Sequence, residues 1–220
     1  MAAPRVLWSR ESEEIDSLAF ERSLKAHGYR LVAGTDEAGR GPLAGPVVAA
    51  CVVLPEGCQA SRFRDSKQLK PELRCELAAE IVALPGVYWG VGVVVAADID
   101  RLNILQASLL AMQHAVADLA IRPDFLLIDG KHQLPLALPQ QALVQGDSRS
   151  ASIAAASIIA KVRRDEIMAE YHLRYPQYNF HRHKGYGTAD HLRLLRQHGP
   201  CPIHRRSFKP VGNCLRGDHD

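Results

Sequence analysis

Short apolar runs restrict what this chain can fold into more than any other feature of its 220 residues. Each run is of strand length, several are rich in Val, and turn residues such as Gly and Pro bound them. The predicted strands are 31–35, 47–54, 87–95, 124–130 and 142–147.

Segments of helical length lie between and after these runs. Pro71 suits the first turn of a helix, and residues 98–120 keep their large apolar side chains near one face, with Asp98 as a candidate cap. The predicted helices are 11–27, 71–83, 98–120, 150–171 and 188–197. This order predicts an α/β fold with a central five-stranded mixed sheet flanked by helices, and with a small helical C-terminal extension.

Composition places the chain among ordinary globular proteins, with 47% hydrophobic and 23% charged residues. The charged N-terminal segment has no apolar core typical of a signal peptide, and no apolar run reaches the roughly 20 residues of a membrane helix. The five cysteines are odd in number and without C-x-x-C spacing, which favours reduced thiols. We therefore expect a cytoplasmic monomer with no membrane partner.

Charge divides the chain into unequal parts. From residue 161 onward there are 12 Lys and Arg against 6 Asp and Glu, whereas residues 1–160 carry a net charge of −3. A basic C-terminal part indicates a polyanionic partner, although a solvated basic helix would have the same composition. We expect a polar helical lead-in over 1–29, a catalytic core over 30–172, and a basic helical extension and tail over 173–220.

Four acidic residues follow predicted strands: Asp36, Glu37, Asp129 and Asp147. Sites in open α/β sheets gather outside the carboxyl ends of strands, so these carboxylates are expected to converge. Clustered carboxylates suit hard divalent cations such as Mg²⁺ and Mn²⁺. Each acid alone could instead form a turn or cap a helix, and Asp147 before "SRS" fits that alternative best.

Six segments, in order, make the chain resemble bacterial ribonuclease HII. They are "GTDEAGRGPLAGPVVAACVVL", "DSKQL", "LNILQASLLAMQHAV", "LIDG", "GDSRSASIAAASIIAKVRRD" and "HKGYGT". The resemblance implies a ribonuclease H-like fold and cleavage of RNA in RNA–DNA hybrids, dependent on two Mg²⁺ or Mn²⁺ ions. It also implies incision 5′ to a single ribonucleotide in duplex DNA, leaving a 3′-hydroxyl and a 5′-phosphate.

The resemblance also assigns residues. The catalytic and metal-binding carboxylates would be the four acids named above, and the ribonucleotide-sensing loop would be Gly39, Arg40 and Gly41. Tyr186 would pack on the sugar that follows the ribonucleotide, and Lys67 would contact phosphate. Without the resemblance, the glycines would indicate a tight turn, Tyr186 a core aromatic and Lys67 a surface lysine. Lys161, Arg163 and Arg164 are expected to be solvated or paired along their helix near Asp165 and Glu166.

Other hypotheses remain open from the sequence. His181, His183, Cys201 and His204 could form a zinc site, although their spacing departs from the usual fingers. The basic C-terminal part alone would fit a non-catalytic nucleic-acid-binding domain. A related nuclease that needs runs of ribonucleotides would share the fold but not the G-R-G loop. The tail shows no obvious sliding-clamp motif.

Overall fold

A computed structural model describes residues 16–63 and 70–217. The strands are β1 (Val32–Ala38), β2 (Val47–Val53), β3 (Tyr88–Val94), β4 (Phe125–Asp129) and β5 (Gln140–Leu143). The helices are α1 (Ala19–Ala26), α2 (Pro71–Ala83), α3 (Ala96–Leu102), α4 (Ile104–Ala117), α5 (Ala151–Arg174), α6 (Phe180–His183), α7 (Ala189–His198) and α8 (Lys209–Arg216).

The five strands form one mixed sheet in the order β3-β2-β1-β4-β5. The pairs β1–β2 and β2–β3 are antiparallel, whereas β1–β4 and β4–β5 are parallel. Because β1 and β4 are parallel neighbours, their carboxyl ends meet at one edge of the sheet. The predicted α/β fold with a five-stranded mixed sheet and a helical C-terminal extension is confirmed.

Helices cover both faces of the sheet, and small residues let them approach closely. A Cβ on Gly34 of β1 would lie 2.3 Å from the backbone of Ser152 and Ile153, so α5 begins directly against β1. On the other face, a Cβ on Gly92 would lie 2.0 Å from the carbonyl oxygen of Ala111 in α4. The alanine-rich start of α5 is buried in the same way, which fixes the helix over the end of β1.

Several element boundaries differ from the prediction. The helix expected over 98–120 is two helices, because Asn103 takes a left-handed backbone with φ of 71° and caps α4 through its side chain. The first of the two helices, α3, starts at Ala96 with Val95 at the N-cap position, so Asp98 is not its cap. The last strand ends at Leu143 rather than at Asp147.

Other differences lie near the two ends of the chain. The described part of the lead-in becomes helical only at Ala19, and residues 11–15 lie outside the described residues. The sequence expected to be a loop at 175–180 contains a single 3₁₀ turn and the start of α6. A helix, α8, occupies part of the expected tail.

The C-terminal elements pack on α5 and on the segment after β1. Ala44, Met168, Tyr178 and Phe180 share one buried cluster with Ile203. No helix within the described ranges combines the length and the apolar character needed to cross a membrane.

Candidate active site

Three carboxylates gather where β1 and β4 end. Thr35 and Ile128 are the last registered pair of these strands, so Asp36 and Asp129 lie one residue beyond it on neighbouring strands. Asp36 and Glu37 were expected just after the strand. They lie within β1, because antiparallel pairing with β2 continues to Ala38.

Burial and neighbouring negative charge raise the pKa of two of these carboxyl groups, Asp36 and Glu37. Asp36 is 3% exposed. Its pKa is well above the usual value, first because of burial and then because of the charges of Glu37 and Asp129. Burial also raises the pKa of Glu37, against the opposing effect of Arg40. The site therefore favours any cation that offsets the crowded negative charge.

Two carboxylate oxygens at this site, Asp36 Oδ2 and Glu37 Oε2, are buried without a hydrogen-bond partner. A buried acceptor without a partner is costly, and an all-oxygen donor set suits a hard divalent cation. These residues therefore fit a divalent ion. Among the described residues, however, no three His, Cys, Asp or Glu side chains form a set compact enough to hold an ion as they stand.

Asp147 lies on a 3₁₀ turn, Gly146–Ser148, and not at a strand end. The turn is tied to the site because the Gly146 N–H donates to Asp129 Oδ1 over 2.7 Å. The structure thus brings three of the four predicted acids together and places the fourth on an adjoining turn.

The Gly39–Arg40–Gly41 segment follows Glu37 directly and borders the carboxylates. Arg40 Nη1 lies 3.0 Å from Glu37 Oε1 and half of the arginine side chain is exposed. Gly39 has a φ of 98°, and a Cβ there would lie 2.1 Å from Arg164 Nε. Glycine is therefore required at this position for both conformation and space.

Tyr186 lies beside this segment and is not the core aromatic that the sequence without the resemblance indicates. The residue is 43% exposed, and the Cε1 atom of its ring would be 3.8 Å from a Cβ on Gly41. An exposed aromatic ring next to a glycine loop is available for packing on a ligand, which a core tyrosine is not.

Two buried histidines hold the Tyr186 backbone. The Cys201 N–H donates to His204 Nδ1, so the proton of His204 lies on Nε2, which faces His191 Nε2 at 3.1 Å. His191 then donates from Nδ1 to the Tyr186 carbonyl oxygen over 2.9 Å. The ring of His181 contacts His172 instead, with centroids 4.2 Å apart. The four residues of the zinc hypothesis therefore do not come together, and one of them, His204, supports Tyr186 through His191.

A groove of about 330 Å³ joins these features. Its lining includes Glu37, Gly39, Arg74, Ser157, Lys161 and Tyr186. Arg74 and Ser157 are not predictable from the sequence, because nothing in the local pattern shows which side of α2 or α5 faces the groove. The hydroxyl of Ser157 acts against the raised pKa of Asp36.

The predictions made for four basic residues differ in how they agree with the structure. Lys161 pairs with Asp165 over 2.6 Å and Arg163 with Glu166 over 2.9 Å, as expected for a helix surface. Arg164 does not follow this expectation, since its guanidinium is buried and donates to backbone carbonyls. Lys67 lies outside the described residues.

The sheet order, together with carboxylates at the adjacent ends of β1 and β4, places the chain in the class of ribonuclease H-like nucleases. The family model described as Ribonuclease HII matches residues 33–211. Ribonuclease HII of Syntrophobacter fumaroxidans is 54% identical over 201 residues, which are 91% of this chain and 86% of that protein. The chain belongs to the ribonuclease HII family of endoribonucleases.

Solved structures show the same fold. The ribonuclease H2 from Pyrococcus horikoshii superposes with a TM-score of 0.72 at 26% identity, covering 86% of this chain and 99% of the other. The RNase HII in a complex with PCNA from Archaeoglobus fulgidus superposes with a TM-score of 0.71 at 24% identity, covering 84% of this chain and 96% of the other. Family membership favours the enzyme over the non-catalytic binding domain that the sequence left open.

Proposed function

We propose that this enzyme hydrolyses the RNA strand of RNA–DNA hybrids and nicks duplex DNA on the 5′ side of a single ribonucleotide, leaving a 3′-hydroxyl and a 5′-phosphate. One observation carries the proposal. Glu37, whose Oε2 is buried without a hydrogen-bond partner, and Tyr186, which lies beside Gly41, line the same groove. A carboxylate centre and a recognition surface are therefore within reach of one phosphodiester.

The carboxylates Asp36, Glu37 and Asp129 would hold two Mg²⁺ or Mn²⁺ ions, with Asp147 contributing from the turn that Asp129 anchors. Bound divalent ions would supply an activated water and charge stabilisation for the leaving 3′ oxygen. Glu37 would exchange its contact with Arg40 for a contact with a cation, because Arg40 and the cation would bind the same carboxylate. Arg40 would then be released toward the substrate.

The protein would recognise a junction and not a base sequence. The exposed backbone of Arg40 and Gly41 allows close approach to a 2′-hydroxyl, the group that separates RNA from DNA. The Tyr186 ring would pack on the sugar that follows the ribonucleotide. The 2′-hydroxyl would be bound and not used as the nucleophile.

Basic side chains along the groove would hold the phosphate backbone. Arg74 is buried at its edge, and burial lowers the pKa of Lys161 although Asp165 opposes this effect. Lys67 remains a predicted phosphate contact. Such contacts position a duplex without reading its sequence.

End-group analysis tests the proposed chemistry. A duplex with one ribonucleotide is incubated with the enzyme and Mg²⁺, and the upstream product is offered to a DNA polymerase. Extension of that product shows a 3′-hydroxyl, as the proposal requires. A product ending in a cyclic 2′,3′-phosphate, with a 5′-hydroxyl downstream, would show that the 2′-hydroxyl had attacked and would refute the mechanism.

A further inference from the structure

The loop formed by residues 39–46, which we call the recognition loop, rests on two buried arginines. Arg164 and Arg205 are both 0% exposed, and no ion pair among the described residues includes either of them. Burying a guanidinium without a carboxylate is costly, so its hydrogen bonds must compensate. All of those described go to backbone carbonyls.

Arg205 binds both ends of the recognition loop. Its Nη2 donates to the Gly39 carbonyl oxygen over 2.6 Å and its Nη1 to the Arg40 carbonyl oxygen over 2.9 Å. Its Nε donates to Gly45 over 3.0 Å and Nη2 also reaches Pro46 over 3.2 Å. One planar guanidinium thus fixes four carbonyl groups that span the loop.

Arg164 supports the same loop from α5. Its Nε and Nη2 donate to the carbonyl oxygens of Pro46 and Ala44, over 3.0 and 3.2 Å. Its Nη1 reaches the Lys184 carbonyl oxygen over 3.0 Å, and the guanidinium carbon lies 5.8 Å from the centre of the Tyr186 ring. The two halves of the proposed junction sensor therefore share one buried support.

The segment that carries Arg205 is itself anchored. Asp100 accepts hydrogen bonds from the Arg206 and Ser207 N–H groups, each over 2.9 Å. The Arg205 N–H donates to the Leu43 carbonyl oxygen over 2.9 Å. Phe208 places its ring 5.1 Å from the Arg205 guanidinium carbon. The Arg205 side chain is consequently directed toward the recognition loop.

The inward carbonyls determine where the loop N–H groups point. In a trans peptide the C=O of one residue and the N–H of the next point in opposite directions. Because the Gly39 and Arg40 carbonyls face Arg205, the N–H groups of Arg40 and Gly41 face the exposed side of the loop. Neither N–H donates to an acceptor among the described residues.

We propose that Arg205 is a positioning residue for ribonucleotide recognition: it holds the recognition loop so that the Arg40 and Gly41 N–H groups face the substrate. The proposal rests on the proposed function, since it concerns the selectivity of the same site. Arg205 does not touch the substrate or the carboxylates. Its loss should therefore reduce nicking at single ribonucleotides more than cleavage of long hybrids, where many registers are available for attack.

The test compares kcat/KM on two substrates, a duplex with one ribonucleotide and a long RNA–DNA hybrid. The variants are Arg205→Ala and Arg205→Lys, with Met112→Ala, a buried residue of α4, as the control for a destabilised core. The Ala variant should lower the ratio of the two values by about tenfold or more, because several charge-assisted hydrogen bonds are lost. Millimolar guanidinium chloride should restore the ratio, because the ion can occupy the vacated site, whereas equimolar sodium chloride should not.

Other outcomes decide against the proposal. If Arg205→Ala and Met112→Ala lose both activities in the same proportion, or guanidinium restores nothing, Arg205 only stabilises the fold. If the Ala variant does not fold, Arg205→Lys decides, because it keeps the charge but not the planar fork; an unchanged ratio there overturns the proposal. A wild-type enzyme that cuts hybrids but never the single-ribonucleotide duplex would instead refute the proposed function.

Discussion

At the scale of single residues, Asp36 shows most directly how the protein prepares its site. The carboxyl group is buried beside Glu37 and Asp129, and burial is the largest cause of its raised pKa. One of its oxygens has no hydrogen-bond partner. A residue that serves only the fold would not be left in such surroundings, so Asp36 is best explained as a ligand for a cation.

Replacement of Asp36 by Asn should separate function from folding. We expect Asp36→Asn to lose cleavage by roughly three orders of magnitude, because several kcal/mol of charge stabilisation depend on this group. Without divalent metal, its melting temperature should equal or exceed that of the wild type, since a repulsive charge is removed. The increase in melting temperature on adding Mg²⁺ or Mn²⁺ should be lost.

Asp124→Asn is the matched control for this change. Asp124 accepts hydrogen bonds from the Arg30 and Leu31 N–H groups, so its replacement should lower stability but keep the response to metal. An Asp36→Asn protein with an undiminished melting shift would show that Asp36 does not bind the ion.

Tyr186 makes a second prediction at this scale. If the exposed ring packs on a sugar, Tyr186→Phe should retain nicking at single ribonucleotides, whereas Tyr186→Ala should reduce its kcat/KM roughly tenfold. Steady-state kinetics on the single-ribonucleotide duplex would measure both. Equal losses in the two variants would mean that the hydroxyl, and not the ring face, carries the function.

Sequence reasoning identified the residues with strong local signals and missed those that act through the fold. The acids Asp36, Glu37 and Asp129 are predictable from strand ends, whereas the role of the Tyr186 ring is implied only by the family resemblance. Arg205 is not predictable, because "HRRSF" gives no indication that the first of its two arginines turns inward. Arg164 was expected on the helix surface for the same reason: spacing along a helix does not show what packs on it.

At the scale of elements, short-range polar contacts determine where helices begin and end. The pattern over 98–120 fits one helix, but Asn103 tolerates a left-handed backbone and caps α4, so the chain turns there. The acids of β1 were expected after a strand end, and only the partner strand β2 extends the pairing past them. The strand extension is not visible without the tertiary neighbours, and the break at Asn103 depends on a backbone angle that the spacing of apolar residues does not show.

The lead-in, to which the sequence assigned no role, supplies a cap to α5. Buried Glu21 of α1 accepts hydrogen bonds through Oε1 from the Ser150 and Ser152 hydroxyls and from the Ser152 N–H over 3.0 Å. A carboxylate at a helix N-terminus satisfies free N–H groups and interacts favourably with the helix dipole. The N-terminus of α5, which also lies against β1, is thereby held in place.

Glu21→Gln should therefore reduce the free energy of unfolding by about 1.5–3 kcal/mol, the range for a buried hydrogen bond to a charged group. Urea unfolding followed by circular dichroism would measure it. The same change at exposed Glu76 of α2 serves as the control and should cost less than about 0.5 kcal/mol. Equal effects at the two positions would contradict the capping role.

The pair of His191 and His204 should make stability depend on pH. Burial, reinforced by neighbouring histidines, lowers the pKa of His191 from 6.5 to about 4 and that of His204 to about 3. The unfolded chain therefore takes up protons that the folded state does not, so stability is complete above about pH 6.5 and falls as the pH decreases toward 4. The slope should approach about 1.4 kcal/mol per pH unit for each histidine.

His191→Gln tests this effect, with exposed His114→Gln as the control. The charged groups that face the pair are His183 and Asp190, and the Tyr178 ring and Cys201 complete its surroundings. Unfolding measured between about pH 7 and pH 5 should show a flatter slope for His191→Gln alone. The wild-type slope persisting in that variant would exclude the histidine pair as its source.

At the scale of the whole molecule, the fold brings together site residues that are far apart in the sequence. The carboxylates come from β1 and β4, the recognition loop follows β1, and its supports come from α5 and from the segment before α8. The excess of basic residues after residue 160 thus has two parts. Some, such as Arg163, lie on the surface, while Arg164 and Arg205 lie beneath the site.

The measurement that tests the central claim most directly is cleavage of a labelled DNA duplex with one ribonucleotide. Wild type and Asp36→Asn are compared in Mg²⁺, Mn²⁺ or a chelator, beside a long RNA–DNA hybrid of the same sequence. We predict one metal-dependent nick 5′ to the ribonucleotide, absent in the variant and in the chelator. Cleavage that survives in the variant, or that persists in the chelator, would contradict a metal site built on Asp36.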